Sequence, residues 1–138
     1  MAHTKKDKGD LGAVKCIADM TEQGWNIAIP ITEHAKYDFV AEKDGELLRV
    51  QARYSKKSKD GAINVKLRSS WADRNGVHVR NRTQGDFDIL AVYCPDTRTC
   101  YYLRDENFSN GSSVSLKTNT PKNGQTKGIR MAEEFTAV

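Results

Sequence analysis

The amino-acid sequence predicts an α/β fold in which an N-terminal helix is followed by the strands of one sheet. Three observations support this class. Apolar residues first recur at spacings of three and four, then alternate with polar residues from Trp25 onward, and later form a nearly continuous run over 87–93. With 138 residues the chain has the size of one domain with a modest core, so we expect residues 1–138 to form a single domain.

The helix is predicted from about Asp10 to Gln23, after a flexible basic arm over residues 1–9. Its apolar stripe consists of Leu11, Val14, Ile17 and Ala18. Gly24 follows, where a glycine commonly ends a helix. Asp10 is expected to cap the first turn, with metal binding as the alternative.

Alternation of period two predicts four strands after the helix, at about 25–31, 36–41, 47–54 and 62–67. Asp44-Gly45, between the second and third strands, is typical of a hairpin turn. Successive side chains of a strand point to opposite faces, so Gln51 and Arg53 should point the same way, opposite to Val50.

The second half of the chain is predicted to contain a central strand at 87–93, buried on both faces, and its antiparallel partner at 100–103. Residues 69–85 show no clear period and are interpreted as a loop with a turn at 73–76. The polar segment 109–127 is predicted to be a mobile loop with one short edge strand at 113–116. Helical turns at about 129–135 close the chain.

The net charge of +4 is unevenly distributed, because residues 51–82 contain nine Lys and Arg against two Asp, and so carry +7. Tyr54, Trp71 and His78 lie among these cations. This composition is typical of a surface that follows nucleic-acid phosphates, although a merely solvated face is the alternative. Besides Arg53, the DNA-binding candidates are Lys56, Lys57, Lys59, Lys66, Arg68, Arg74, Arg80 and Arg82.

No segment approaches the roughly 18 consecutive apolar residues of a membrane helix, and Met1–Asp10 lacks the apolar run of a signal peptide. We therefore expect a cytoplasmic protein with no membrane partner.

The odd number of cysteines argues against a disulfide framework, with a Cys94–Cys100 bridge as a less favoured alternative. The spacing of His34, Cys94 and Cys100 does not suit zinc.

One constellation indicates chemistry. Asp38 opens the predicted hairpin, Gln51 follows thirteen residues later, and Arg53 lies two residues beyond on the same face. Phosphodiester hydrolysis requires a divalent cation held by side-chain oxygens, and a positive group near the phosphate. Two adjacent strands can bring one carboxylate, one amide oxygen and one cation together.

At these residues the sequence resembles the PD-(D/E)xK nucleases, and more closely their group I intron-associated homing endonucleases. The resemblance runs through KGDLGAVKCIADMTEQGW, IPITEHAKYDFVAEKDGELLRVQAR and FDILAVYCPDTRTCYYL, with Tyr37-Asp38 and Val50-Gln51-Ala52 at the motif positions. It implies a restriction-endonuclease-like core, in which a mixed sheet with an N-terminal helix carries the active site on a β-hairpin. It also implies Mg²⁺-dependent, sequence-specific cleavage of double-stranded DNA by a homodimer or homotetramer, with Asp38 and Gln51 as metal ligands and Asp38, Gln51 and Arg53 as catalytic residues.

Two departures from the family pattern leave alternatives open. Arg53 replaces the usual lysine, for which Lys56 or Lys57 could substitute, and Ala13 and Val14 occupy the region where relatives often place a glutamate. The alternatives are a weak or inactive DNA-binding relative and a junction-resolving or RNA-directed nuclease. Glu33 and His34 are further candidates for the site, with an exposed loop pair as the other interpretation.

Overall fold

The computed structural model describes residues 4–67, 69–80, 85–104, 113–119 and 130–138, with the backbone alone at 69–73 and 78–80. One helix and nine strands follow each other along these residues. They are α1 (Lys5–Glu22), β1 (Asn26–Ala28), β2 (Phe39–Lys43), β3 (Glu46–Tyr54), β4 (Ala62–Lys66), β5 (Ser69–Asp73), β6 (Gly76–Arg80), β7 (Ile89–Cys94), β8 (Thr99–Arg104) and β9 (Ser113–Lys117). A 3₁₀ turn, Ala132–Phe135, follows near the C-terminus.

The main sheet has five strands in the order β1-β2-β3-β7-β8, and it is mixed. β3 and β7 are parallel, whereas the other neighbouring pairs are antiparallel. All six residues of β7 are buried, which confirms the prediction of a central strand covered on both faces. The α/β class with a mixed sheet and an N-terminal helix is thereby confirmed.

Two core clusters cover the two faces of this sheet. In the first, Cys16 and Met20 of α1 pack on Phe39, Val50 and other apolar residues. In the second, apolar residues of β4 and β9 pack on Leu90 and Val92. β4 and β9 pair with each other in an antiparallel manner, so the short strand predicted at 113–116 is confirmed. Most of the loop predicted over 109–127 lies outside the described residues.

The start of α1 corrects the predicted boundary. Thr4 is the N-cap: its hydroxyl accepts from the Asp7 nitrogen, and the Asp7 carboxylate accepts from the Thr4 nitrogen, both at 3.1 Å. This reciprocal capping box satisfies two donors that the helix would otherwise leave unpaired. Residues 5–9 are therefore helical, not a flexible arm. Asp10 lies in the second turn, so its predicted capping role is wrong.

The buried stripe of α1 also differs from the predicted one. Gly12, Cys16 and Met20 are buried, whereas Val14 is 61% exposed. Gly12 carries no side chain and faces β3, where a Cβ atom would lie 3.1 Å from the Arg53 carbonyl oxygen. Hydrophobic periodicity does not detect a contact that depends on a missing side chain, so the predicted stripe was rotated around the helix.

Residues 69–80 form a hairpin of β5 and β6, where a loop was predicted. The turn at 73–76 is confirmed, since Asp73 pairs with Gly76 across it. Val77 is 76% exposed, so this hairpin does not bury all of its apolar residues. No helix among the described residues is long and apolar enough to cross a membrane.

Candidate active site on the β2–β3 hairpin

The candidate site begins at an irregularity where β2 starts. Phe39 pairs with Val50, and the Asp38 nitrogen also donates to the Val50 carbonyl at 2.8 Å. Two consecutive residues thus oppose one, which is the arrangement of a β-bulge. Tyr37 consequently packs against the second core cluster, although Phe39 belongs to the first. Bulges redirect side chains, and this one redirects Asp38.

The Asp38 carboxylate accepts a hydrogen bond from the Ala52 nitrogen, with 2.7 Å between Oδ2 and that nitrogen. It thereby occupies the place of a backbone acceptor on the neighbouring strand. Its other oxygen, Oδ1, makes no hydrogen bond with the described residues, and the side chain is exposed. One carboxylate oxygen is therefore held by the sheet, and the other is available to a ligand.

Gln51 lies between Val50 and Ala52 and points to the opposite face, as predicted from the strand period. It stands beside Leu90 of β7 and is half-buried. In the described part of the chain, no hydrogen bond engages its side-chain amide. The bulge attaches Asp38 to the backbone on either side of Gln51, at Val50 and Ala52, so the structure brings these two predicted residues together.

Arg53 is half-buried and turns its guanidinium toward backbone carbonyls. Nη1 donates to the Ala52 carbonyl at 3.1 Å, and Nε lies 3.5 Å from the Lys66 carbonyl. Burial lowers the pKa of Arg53, and the nearby Asp38 charge acts in the opposite direction. Arginine stays protonated in proteins. The site therefore contains a fixed positive charge next to Asp38, attached to the end of β4.

At positions 10, 13 and 14, α1 contributes no further carboxylate to the site formed by Asp38, Gln51 and Arg53. Ala13 packs at the edge of the first core cluster, and Val14 is exposed. Asp10 is exposed and lies about 200° around the helix from Gly12, which contacts β3. Among the described residues, no group of three or more His, Cys, Asp or Glu could hold a metal ion.

Glu33 and His34 lie in the segment between β1 and β2, and both are exposed. The His34 nitrogen donates to the Thr32 hydroxyl at 3.1 Å, which shapes this turn. No hydrogen bond or ion pair in the described structure joins either residue to Asp38, Gln51 or Arg53.

The basic candidates occupy the connections around β3 and β4. Lys56, Lys57, Lys59, Lys66 and Arg74 are all exposed. The turn that carries the first three follows β3 and is anchored where the Lys57 nitrogen donates to Asp96 at 2.7 Å. Arg74 lies in the β5–β6 turn. Arg80 ends β6, where the backbone alone is described, and Arg68 and Arg82 lie outside the described residues.

Sequence reasoning missed how the β5–β6 hairpin is attached to the site. The hairpin leaves β4 just after Lys66, whose carbonyl contacts Arg53. The chain that returns from the hairpin to β7 is held by two ion pairs. Asp86 Oδ1 lies 3.6 Å from Lys36 Nζ, and the Asp88 carboxylate accepts two side-chain hydrogen bonds from Arg49. Arg49 lowers the pKa of Asp88. Only the charge of Asp86 and Asp88 in the sequence hints at these ion pairs.

Comparison with known proteins relates the chain to nucleases. A bacterial homing endonuclease, I-Ssp6803I, has a similar structure, with a TM-score of 0.77 at 23% sequence identity over 96% of this chain and 88% of that one. No curated protein matches the chain significantly. The sequence model described as PD-(D/E)XK endonuclease matches residues 3–138, nearly the whole chain. The chain therefore belongs to the PD-(D/E)XK endonuclease family, and its mixed sheet and N-terminal helix have the fold of a homing endonuclease.

Proposed function

We propose that the protein is a magnesium-dependent endonuclease that hydrolyses phosphodiester bonds of double-stranded DNA at the β2–β3 hairpin. One observation carries the proposal. The Asp38 carboxylate is attached to the Ala52 nitrogen, beside Gln51 and close to the Arg53 guanidinium. We infer that the Gln51 amide joins the Asp38 carboxylate and the Arg53 cation at this edge of the hairpin, in a chain that belongs to a nuclease family.

The donor set is compatible with Mg²⁺. Asp38 Oδ1 and the Gln51 amide oxygen are free of hydrogen bonds to described residues, and both are hard oxygen donors. Mg²⁺ in proteins commonly uses only one or two carboxylates and keeps several waters. When bound, it would polarise the phosphate and lower the pKa of a coordinated water. Asp38 and Gln51 would hold it, and the Ala52 hydrogen bond would orient the Asp38 carboxylate.

Arg53 would steady the scissile phosphate. Two of its five N–H groups are directed at the Ala52 and Lys66 carbonyls, which leaves others for a phosphate oxygen. Its half-buried position strengthens electrostatic interactions relative to bulk water. Because the guanidinium is already oriented by the backbone, it would need little reorganisation when negative charge develops on the phosphate.

The exposed cations on both sides of this hairpin would bind the DNA backbone. Lys56, Lys57 and Lys59 follow β3, and Lys66 and Arg74 lead into and across the β5–β6 hairpin. We propose that Arg68, Arg80 and Arg82 also bind the DNA backbone. A hairpin of two strands can enter the major groove of B-DNA, so β5 and β6 are the proposed reading element.

A target longer than one domain can reach would require more than one copy. We propose a symmetric homodimer or homotetramer that acts on a specific site. The resemblance to homing endonucleases associated with group I introns implies that the target would lie at the insertion site of such an intron.

A second candidate, a DNA-binding relative that does not cleave, is favoured by one specific observation. The Arg53 guanidinium already bonds to two carbonyls of its own chain, and it stands where the family usually has lysine. A side chain committed to holding β3 against β4 would contribute less to the phosphate. The two candidates share the DNA-binding surface and differ only in cleavage.

The test is a nicking assay on a pool of supercoiled plasmids that carry randomised inserts. We expect cleavage with Mg²⁺, none with EDTA, and loss of at least about 100-fold in rate for Asp38→Asn. Asp44→Asn is the matched control, because Asp44 is an exposed turn residue with φ of 51°, a conformation that Asn tolerates. If the protein binds the DNA but leaves it intact at every enzyme concentration, the endonuclease proposal is wrong and the non-cleaving candidate is supported.

A further inference from the structure

Two of the three cysteines meet between α1 and β8, in the core cluster that also covers one face of the β2–β3 hairpin. Cys16 on α1 is 0% exposed and Cys100 on β8 is 7% exposed, and both belong to the first core cluster. The two thiols lie close enough for each to shift the pKa of the other. Cys94, by contrast, is buried in the second cluster, on the other face of the sheet. The bridge considered from sequence, Cys94–Cys100, therefore concerns the wrong pair.

Cys100 also lines a surface cleft of about 410 Å³ between α1 and the β7–β8 turn. Lys15 lies in the same cleft, with its Nζ 5.7 Å from the centre of the Tyr93 ring. Asp19 is held at the cleft wall by the Tyr102 hydroxyl at 2.5 Å. A small solute in this cleft can thus approach Cys100, whereas Cys16 does not line it.

The two thiols have unequal acidity. The neighbouring Cys16 thiol lowers the pKa of Cys100, and Lys15 adds to this effect. The Cys100 thiol, together with burial, raises the pKa of Cys16. Since the thiolate is the reactive form of cysteine, the member of the pair that faces the cleft is also the more reactive one.

We propose that Cys100 is a hydroperoxide-reactive thiol and that Cys16 resolves it, giving a disulfide that ties α1 to β8. The Cys100 thiolate attacks hydrogen peroxide, the O–O bond breaks, and the sulfur becomes a sulfenic acid while the released hydroxide takes up the Cys100 proton and leaves as water. The Cys16 sulfur then displaces the hydroxyl group, so the S–O bond breaks, the S–S bond forms, and a second water leaves with the Cys16 proton. Low thiol pKa, access and a neighbouring thiol are the features of redox-sensing cysteines.

The reaction is measured on the whole reduced protein, without DNA, so its outcome is independent of the proposed nuclease activity. Hydrogen peroxide is added, excess is removed, and free thiols are alkylated in denaturant. We expect one alkylated cysteine after oxidation, three after subsequent reduction, and a linked peptide pair that contains Cys16 and Cys100. In the native reduced protein, Cys100 should be alkylated at least about ten times faster than Cys94.

Variants separate the two roles. Cys94→Ala, the matched control, should still form the disulfide. Cys16→Ala should leave Cys100 as a sulfenic acid that dimedone traps. Three alkylated cysteines after peroxide treatment, a link that includes Cys94, or equal alkylation rates for Cys94 and Cys100 would each overturn the proposal. The native-rate comparison uses the wild-type chain, so it holds even if a variant fails to fold.

Discussion

Gly12 of α1 lies directly against the backbone of Arg53. A Cβ atom at Gly12 would come within 3.1 Å of the Arg53 carbonyl oxygen and 3.2 Å of the Tyr54 Cβ atom. Because Gly12 has no side chain, the backbone of α1 can approach the backbone of β3 closely at this position. This contact sets the distance between the helical layer and β3.

We expect Gly12→Ala to destabilise the protein by about 1–2 kcal/mol, because the helical preference of alanine is outweighed by forcing α1 away from β3. Gly9→Ala is the matched control in the same helix. A Cβ atom at Gly9 meets nothing within 4 Å, so this change should stabilise the protein by up to about 1 kcal/mol. Urea unfolding measures both. Equal stabilisation by the two variants would show that α1 can shift freely on the sheet.

Asp88 should contribute pH-dependent stability. It accepts from the Arg49 backbone nitrogen at 2.8 Å and from both Nε and Nη2 at 3.1 Å. We expect Asp88→Asn to cost about 1–2 kcal/mol at pH 7, a value reduced by the partial exposure of the pair.

Because the pKa of Asp88 is lowered in the folded state, its contribution is complete above the unfolded value of about 4 and disappears as the pH falls through the folded value. The difference in unfolding free energy between wild type and Asp88→Asn should therefore shrink below about pH 4. A difference that stays constant down to pH 2 would contradict this assignment. Asp44→Asn serves as the control for loss of a surface carboxylate.

Arg53 distinguishes the two candidate functions. If it steadies the phosphate, Arg53→Ala should lower the cleavage rate by about 100-fold or more, with a smaller change in DNA affinity. Arg53→Lys should keep the rate within about ten-fold of wild type, since lysine is also a cation and is the usual residue of the family. A wild-type protein that binds without cutting, and gains cleavage on Arg53→Lys, would instead establish the non-cleaving candidate.

Binding to duplex DNA should weaken steeply with salt, because Lys and Arg displace condensed counterions from the phosphates. Replacing Lys56, Lys57 and Lys59 by Gln should reduce the slope of log affinity against log salt by about one for each lysine that contacts a phosphate. Lys43→Gln is the control, since Lys43 Nζ is bonded to the Gln23 carbonyl at 3.0 Å. A salt-independent affinity would exclude the phosphate backbone as the partner of this surface.

The parts of the structure that were predictable from sequence are those governed by local pattern. The alternation of Leu48, Val50 and Ala52 with polar neighbours gave the correct faces of β3. The apolar run of β7 gave its burial on both sides. Asp44-Gly45 gave the hairpin, and thus the approach of Asp38 to Gln51, because a turn and a period determine which residues face each other.

What sequence could not give depends on contacts between distant segments. The bulge at Asp38 arises from the hydrogen bonds that the sheet makes available at Val50 and Ala52. The meeting of Cys16 with Cys100 requires the packing of α1 on the last strand of the sheet. Asp88 and Arg49 are 39 positions apart, and only the parallel pairing of β3 with β7 places them together.

The parallel pairing of β3 with β7 also allows the length of the β5–β6 hairpin to vary. Parallel neighbours must be joined by a crossover, and here everything between Tyr54 and Ile89 belongs to one. The register of the two strands is secured by Arg49 and Asp88, not by the length of the connection. Residues can therefore be added to or removed from the tip at Arg74 without displacing Gln51, so that the proposed DNA-reading element could change while the proposed catalytic residues keep their positions.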